Sequence, residues 1–200
     1  KRIEGKSYVE ISLAGGGINS TITTTKGASE DLLYTLAQER IKKMISCGTT
    51  TIEAKSGYGL DTESELKQLR VIKSLGETEK IDIVPTFMGA HEFPLAYKND
   101  HQGYIDILVN EMIPEVAKSG LAVYCDIFTE DHVYSINESR IVLQCAKEHG
   151  LKLKMHADEI IPIGGAELAA EMACVSADHL GATSEQGIRA LAKKGVIATL

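Results

Sequence analysis

The chain reads as an α/β protein of the (β/α)8 TIM-like barrel type, here lacking the first and last strands. Three observations predict this. Six strand-like segments alternate with helix-like ones, the pattern of right-handed βαβ units around a parallel sheet. Helix-to-strand spacings of roughly 20 to 35 residues fit a barrel better than a short doubly wound sheet. Three strand-like segments finish on a histidine (His91, His156 and His179), and barrel active sites lie at the C-terminal ends of the strands.

After a Gly-rich opening, residues 31–46 carry Leu32, Leu33, Leu36, Ala37, Ile41, Met44 and Ile45 at helical spacing, and Gly48 stops the run. The β-branched stretch 49–54 predicts the first strand. A helix over 62–76 follows, capped by Asp61 or Thr62, with Leu66, Leu69, Ile72 and Leu75 inward. Residues 81–88 form the second strand, in which Pro85 is awkward if the strand is central. Residues 103–119 are amphipathic through Ile105, Leu108, Val109, Met112, Ile113 and Val116, with Pro114 expected to bend or restart the helix. A strand at 123–128, a helix at 137–149 ended by Gly150, and the strand that delivers His156 come next. A helix at 165–173, a strand at 175–179, a helix at 184–194 and a strand at 196–200 complete the series. No strand precedes the helix at 31–46, and the chain breaks off on a strand. The expectation is one partial barrel domain over residues 1–200, about strands 2 to 7, cut from a longer protein.

Composition excludes several functions. A net charge of −7 argues against general binding to nucleic acid or anionic membranes. With 5% aromatics and no Trp, a platform for stacking bases is not expected. No run approaches the roughly 18 apolar residues of a membrane span, and the opening from Lys1 to Tyr8 has no apolar stretch of a signal peptide. Cys47, Cys125, Cys145 and Cys174 are widely spaced, which reads as reduced, buried thiols of a cytoplasmic protein.

The chemistry concentrates at strand ends. The alternating stretch Leu151-Lys152-Leu153-Lys154-Met155 delivers His156, Asp158 and Glu159 within four residues. A neutral imidazole is a good ligand for zinc or iron, and a carboxylate three residues on can serve as base. Asp178-His179 and His91, the latter after the small pair Gly89-Ala90, repeat the placement. Each also fits a histidine that only satisfies hydrogen bonds at a strand end; the three together favour a shared metal or acid/base site. Lys55-Ser56-Gly57-Tyr58-Gly59 closes the first strand with glycines that let Tyr58 lie across a pocket mouth, or that form a plain turn. Gly15-Gly16-Gly17 is not a dinucleotide fingerprint and reads as a loop near a ligand. His101, His132 and His149 read as solvated, and Glu130-Asp131 as exposed loop residues within reach of the mouth.

Taken in order, Ser7-Tyr8-Val9-Glu10-Ile11, Gly15-Gly16-Gly17-Ile18, Lys55-Ser56-Gly57-Tyr58-Gly59-Leu60-Asp61, Gly89-Ala90-His91, His156-Ala157-Asp158-Glu159 and Ser176-Ala177-Asp178-His179-Leu180 resemble imidazolonepropionase, of the amidohydrolase superfamily. The resemblance runs nearly end to end and corresponds to the middle half of that family's length. It implies metal-dependent opening of the cyclic amide of 4-imidazolone-5-propanoate to N-formimidoyl-L-glutamate, in histidine breakdown. It implies one zinc or iron ion, with His156 a ligand. Glu159 would contact the substrate and assist proton transfer, and His179 would help activate water. Tyr58 and His91 would line the substrate pocket, with Tyr8 at its edge, and a homodimer is plausible. The family's HxH pair and late aspartate are missing, Lys26 stands where an arginine is usual, and Thr129 where a cysteine is common. Some two-metal hydrolases of this fold carry a carbamylated lysine on the fourth strand; here 123–128 has none, so a single metal is expected.

Other readings remain. One is a different amidohydrolase, acting on a cyclic imide or a nucleobase. Another is a non-catalytic barrel segment that associates with a partner chain. A metal-free aldolase-like barrel is disfavoured, because no lysine sits in an apolar strand centre and Lys55 is at a strand end beside polar residues.

Overall fold

The computed structural model describes Gly5 and residues 18–200; Tyr8 and Gly15, Gly16 and Gly17 lie outside the described residues. Among the described residues two helices come first, α1 (Ile18–Gly27) and α2 (Glu30–Ser46). Then follow β1 (Thr51–Lys55), α3 (Thr62–Thr78), β2 (Asp82–Ala90), a short 3-10 turn (Leu95–Tyr97) and α4 (His101–Ile107). A π-type turn (Leu108–Met112) leads into α5 (Ile113–Ser119), β3 (Tyr124–Thr129), α6 (Ile136–Glu148) and β4 (Lys152–Ala157). The last elements are α7 (Gly165–Met172), β5 (Ser176–His179), α8 (Glu185–Lys194) and β6 (Ile197–Thr199). The six strands of the described residues pair in parallel and in sequence order, the curled open sheet of a partial (β/α)8 barrel.

Local chemistry accounts for the element ends. Ser29, Asp61, Asp100, Ser135 and Ser184 cap the starts of α2, α3, α4, α6 and α8 through their side chains. Ser135 and Glu138 form a reciprocal capping box on α6. The helix α1 was not expected, because Thr21, Thr23, Thr24 and Thr25 are poor helix formers. Its C-terminal carbonyls are satisfied from outside: Lys67 Nζ donates to Thr25 O, Lys26 O and Ala28 O at 3.2, 2.7 and 2.8 Å. Pro114 does restart the helical run. It has no N–H to give the preceding turn, and the π-type turn just before it absorbs the mismatch. Pro85 lies inside β2, but the ladder with β3 begins at Thr86↔Tyr124, so its missing donor falls before the paired stretch.

The sheet has two unlike faces. Phe87, Cys125, Ile127, Leu153, Met155, Ala157 and Ala177 are buried in one core with Leu108, Val142, Leu143 and Ala169 from the helices. Each fully buried Leu, Ile or Phe there contributes about 2 kcal/mol. One residue out of phase on the same strands sit Glu53, Lys55, Thr86, Asp126, Lys154, His156 and Asp178, which form the polar inner face of the curl.

Two expectations are corrected. Glu130 is fully buried, where the sequence suggested an exposed loop residue: it accepts the N–H groups of Ile160 and Ile161 at 2.9 and 3.2 Å. His101, read as solvated, is 42% exposed but also held: it is stacked on Phe93, 3.7 Å between centroids, and its Nδ1 lies 3.0 Å from Glu138. Of the four cysteines, Cys125 and Cys174 are buried as expected, whereas Cys47 is exposed and Cys145 half-buried.

Candidate functional site

The inner face is a polar and ionic network that crosses five strands. Lys55, at the end of β1, places Nζ 2.5 Å from Asp126 Oδ2, 3.2 Å from Asp178 Oδ2 and 3.3 Å from Glu53 Oε1. Lys154 closes on Glu53 at 2.6 Å, and Thr86 donates to Glu53 at 2.5 Å. His156 Nδ1 lies 3.1 Å from the Asp126 carboxylate. Burial works against the charge of Asp126, yet His156 and Lys55 beside it hold its pKa down at about 2. Burial likewise opposes the charge of Lys55, and Asp126, Glu53 and Asp178 outweigh it, so its pKa is raised. Asp126 and Lys55 therefore face each other as a carboxylate and an ammonium at neutral pH. None of these carboxylates stood out in the sequence as a site residue. The available signal was charge at alternate positions of strands whose other residues are apolar, since a parallel sheet covered on both faces carries near-continuous apolar strands.

At the C-terminal rim, the structure brings His91, His156, His179, Glu159 and Tyr58 together. The rings of His156 and His179 are 5.0 Å apart and those of His156 and His91 6.5 Å apart. His179 Nε2 is 3.9 Å from Glu159 Oε2. Tyr58 meets His91 edge-on at 5.1 Å, and His91 Nδ1–H donates to Gly57 O at 3.0 Å. Burial lowers the His91 pKa to about 4, with His156 adding to the effect, so its ring is neutral at physiological pH.

Strand period alone would not build this rim. His156 pairs in register with Asp178, whereas His179 pairs with Ala157 and by alternation belongs to the helix side. A left-handed φ of 76° at His179 re-aims its ring toward His156. Leu60, Asp158 and Leu180 are also left-handed, at φ 55°, 48° and 56°, all in loops that leave strand ends. Such strain persists only where surrounding contacts over-determine it. Here buried carboxylates supply them. Asp158 accepts N–H groups from Ile163, Gly165 and Ala166 at 3.1, 2.9 and 3.0 Å. Glu65, fully buried on α3, accepts those of Gly57, Gly59 and Leu60 at 2.7, 2.7 and 2.9 Å, which fixes the loop that carries Tyr58. Gly57 has φ 106°, and a Cβ there would lie 2.8 Å from Met88 O.

Among the described residues, Asp126, His156 and Asp178 offer donor atoms that all lie within 4.8 Å of one another. The Lys55 ammonium sits on both aspartates, so His156 is the member of that set not engaged by the lysine. Imidazole nitrogen and carboxylate oxygen form a suitable donor set for zinc or iron. Lys26, the counterpart of an expected arginine, pairs instead with Asp61 at 2.5 Å beside the same loop.

These features define a class: a partial (β/α)8 barrel with its polar residues gathered at the C-terminal rim. Solved structures agree on the fold. The apo N6-methyl-AMP deaminase of Arabidopsis thaliana superposes with a TM-score of 0.63 over 99% of this chain and 59% of that one, at 11% identity. The adenine deaminase of Arthrobacter aurescens does so with a TM-score of 0.60 over 86% and 53%, at 12% identity.

In sequence, the particular resemblance is to imidazolonepropionase, and it holds along the whole chain. The imidazolonepropionase of Clostridium tetani is 51% identical over 199 residues, 100% of this chain and 48% of the relative. That of Alkaliphilus metalliredigens is 49% identical over 199 residues, with 100% and 47% covered. The chain thus spans about half the length of the curated relatives it matches. No protein-family model matches it.

Proposed function

We propose that the chain is the central portion, about strands 2 to 7, of a metal-dependent hydrolase that opens the cyclic amide of 4-imidazolone-5-propanoate to N-formimidoyl-L-glutamate. The observation that carries this reading is the convergence of His156, His179 and Glu159 at one rim of a chain half identical to imidazolonepropionases. His156 would hold one zinc or iron ion, with further ligands from regions of the relatives that the described residues do not include. A bound metal would supply Lewis acidity toward the ring carbonyl and make a water more acidic. His179 would take a proton from the attacking water, and Glu159, 3.9 Å from it, would pass a proton to the departing ring nitrogen. Neutral His91 and the Tyr58 hydroxyl would hydrogen-bond the substrate and orient it, with Tyr8 at the pocket edge. The hydrolysed bond is the ring C–N bond: water oxygen joins the carbonyl carbon, and the nitrogen leaves with a proton.

A soluble small-molecule enzyme, assembled as a homodimer in the cytoplasm, is the setting this reading implies; no described helix is long and apolar enough to cross a membrane. Metal content and turnover of the full natural protein test it. About one metal per chain and hydrolysis of imidazolone propanoate, both lost in His156→Ala, are expected. A metal-free, inactive wild type would leave a non-catalytic barrel, and turnover of a nucleobase or cyclic imide instead would reassign the substrate.

A further inference from the structure

We propose that Asp126 is a positioning residue that fixes His156 in one tautomer, with the proton on Nδ1 and the lone pair on Nε2, and so presents Nε2 as the metal-binding atom. This rests on the reading of His156 as a ligand, and it names a role for a residue to which sequence reasoning gave none.

Asp126 is fully buried on β3, two residues before Phe128, the register partner of His156, and on the same face of the sheet. Its carboxylate is clamped on three sides. The Ile127 N–H donates to Oδ1 at 2.8 Å, Lys55 donates to Oδ2 at 2.5 Å, and His156 Nδ1 lies at 3.1 Å. An ionised carboxylate can only accept, so the ring nitrogen facing it must carry hydrogen. In a neutral imidazole this leaves Nε2, on the far side of the ring, as the bare donor. Metal-bound histidines commonly give their second N–H to a carboxylate, which sets the tautomer and raises ligand basicity. Lys55 has a part in this. By neutralising Asp126 and bridging it to Asp178, it keeps the buried carboxylate ionised and fixed in place without joining the ring itself.

The test is ring-nitrogen NMR of the full natural protein, labelled at histidine and stripped of metal, at about pH 8.5, where ordinary imidazoles are neutral. His156 is expected with Nδ1 protonated and Nε2 bare. Asp126→Asn can turn its amide N–H₂ toward the ring, and the signal should then move to the Nε2–H form. Zinc affinity, read by chelator competition, should fall about 10- to 100-fold. The double variant Asp126→Asn/Lys55→Met removes the lysine charge together with its main buried partner and keeps the comparison valid if the single variant folds poorly. A wild-type His156 protonated on Nε2 overturns the proposal even if metal binds; unchanged zinc affinity in both folded variants overturns it as well. A protein with the predicted tautomer that binds no metal overturns the hydrolase reading and leaves the assigned tautomer standing.

Discussion

Asp126 also anchors the stability of the inner face, and Asp126→Asn measures by how much. The substitution preserves shape and removes a charge that Lys55 and the His156 ring both contact. Asp126 has a pKa of about 2 against an ordinary 3.8, a linkage worth about 2 kcal/mol above pH 4. Breaking a fully buried pair costs about 3–5 kcal/mol. Lys55 keeps Asp178 at 3.2 Å and Glu53 at 3.3 Å, so the cost here should sit at the low end. Urea denaturation at pH 7 should therefore show a loss of about 2–3 kcal/mol. The sign of the pH dependence follows from the depressed pKa. The contribution is present above the unfolded value and is lost as pH falls through the folded one. By pH 3 about half of the linkage should remain. Equal stabilities of wild type and variant at pH 7 would refute the reasoning, as would a gap at pH 3 as large as that at pH 7.

Three other perturbations have definite outcomes. His91, with a pKa of about 4, should titrate by proton NMR well below an ordinary histidine; its neutral form supports the fold fully above about pH 6.5, and roughly 3 kcal/mol is lost as pH falls through 4. A His91 midpoint near 6.5 would show that the ring is not desolvated. Glu65→Ala leaves three buried N–H donors unmatched and should cost about 3 kcal/mol, with faster hydrogen exchange at Gly57, Gly59 and Leu60; unchanged exchange there would sink the idea that Glu65 fastens the loop. Gly57→Ala combines a left-handed φ of 106° with a contact 2.8 Å from Met88 O and should cost about 2 kcal/mol or more, whereas Gly150→Ala, at φ 82° with open space around it, should cost less. Thermal melts of the two variants side by side decide it.

Much of the fold was legible in the chain itself. Helical spacing over 31–46, the cap at Asp61, the stop at Gly48 and the β-branched run before Lys55 depend on residues within a few positions of each other, and the structure has those elements. The short-range signals failed where distant contacts decide. The threonine-rich segment at 18–27 is helical with its end held by Lys67, some forty residues away. Glu130 reads as a loop acid, yet it is buried under the backbone of Ile160 and Ile161.

The same division runs through the site. The sequence by itself determined that His91, His156 and His179 would stand at strand ends, because alternation and turn residues fix where each strand stops. Only the tertiary structure decided that Lys55, Asp126 and His156 form one network, through pairs 71 and 30 residues apart in sequence. It also turned His179 inward through a left-handed backbone that the strand period contradicts. The physical reason is one of range. Local periodicity is set by neighbours on the chain, whereas strand register, loop anchorage and the charge balance of a buried face are set by residues that meet only once the sheet has closed around them.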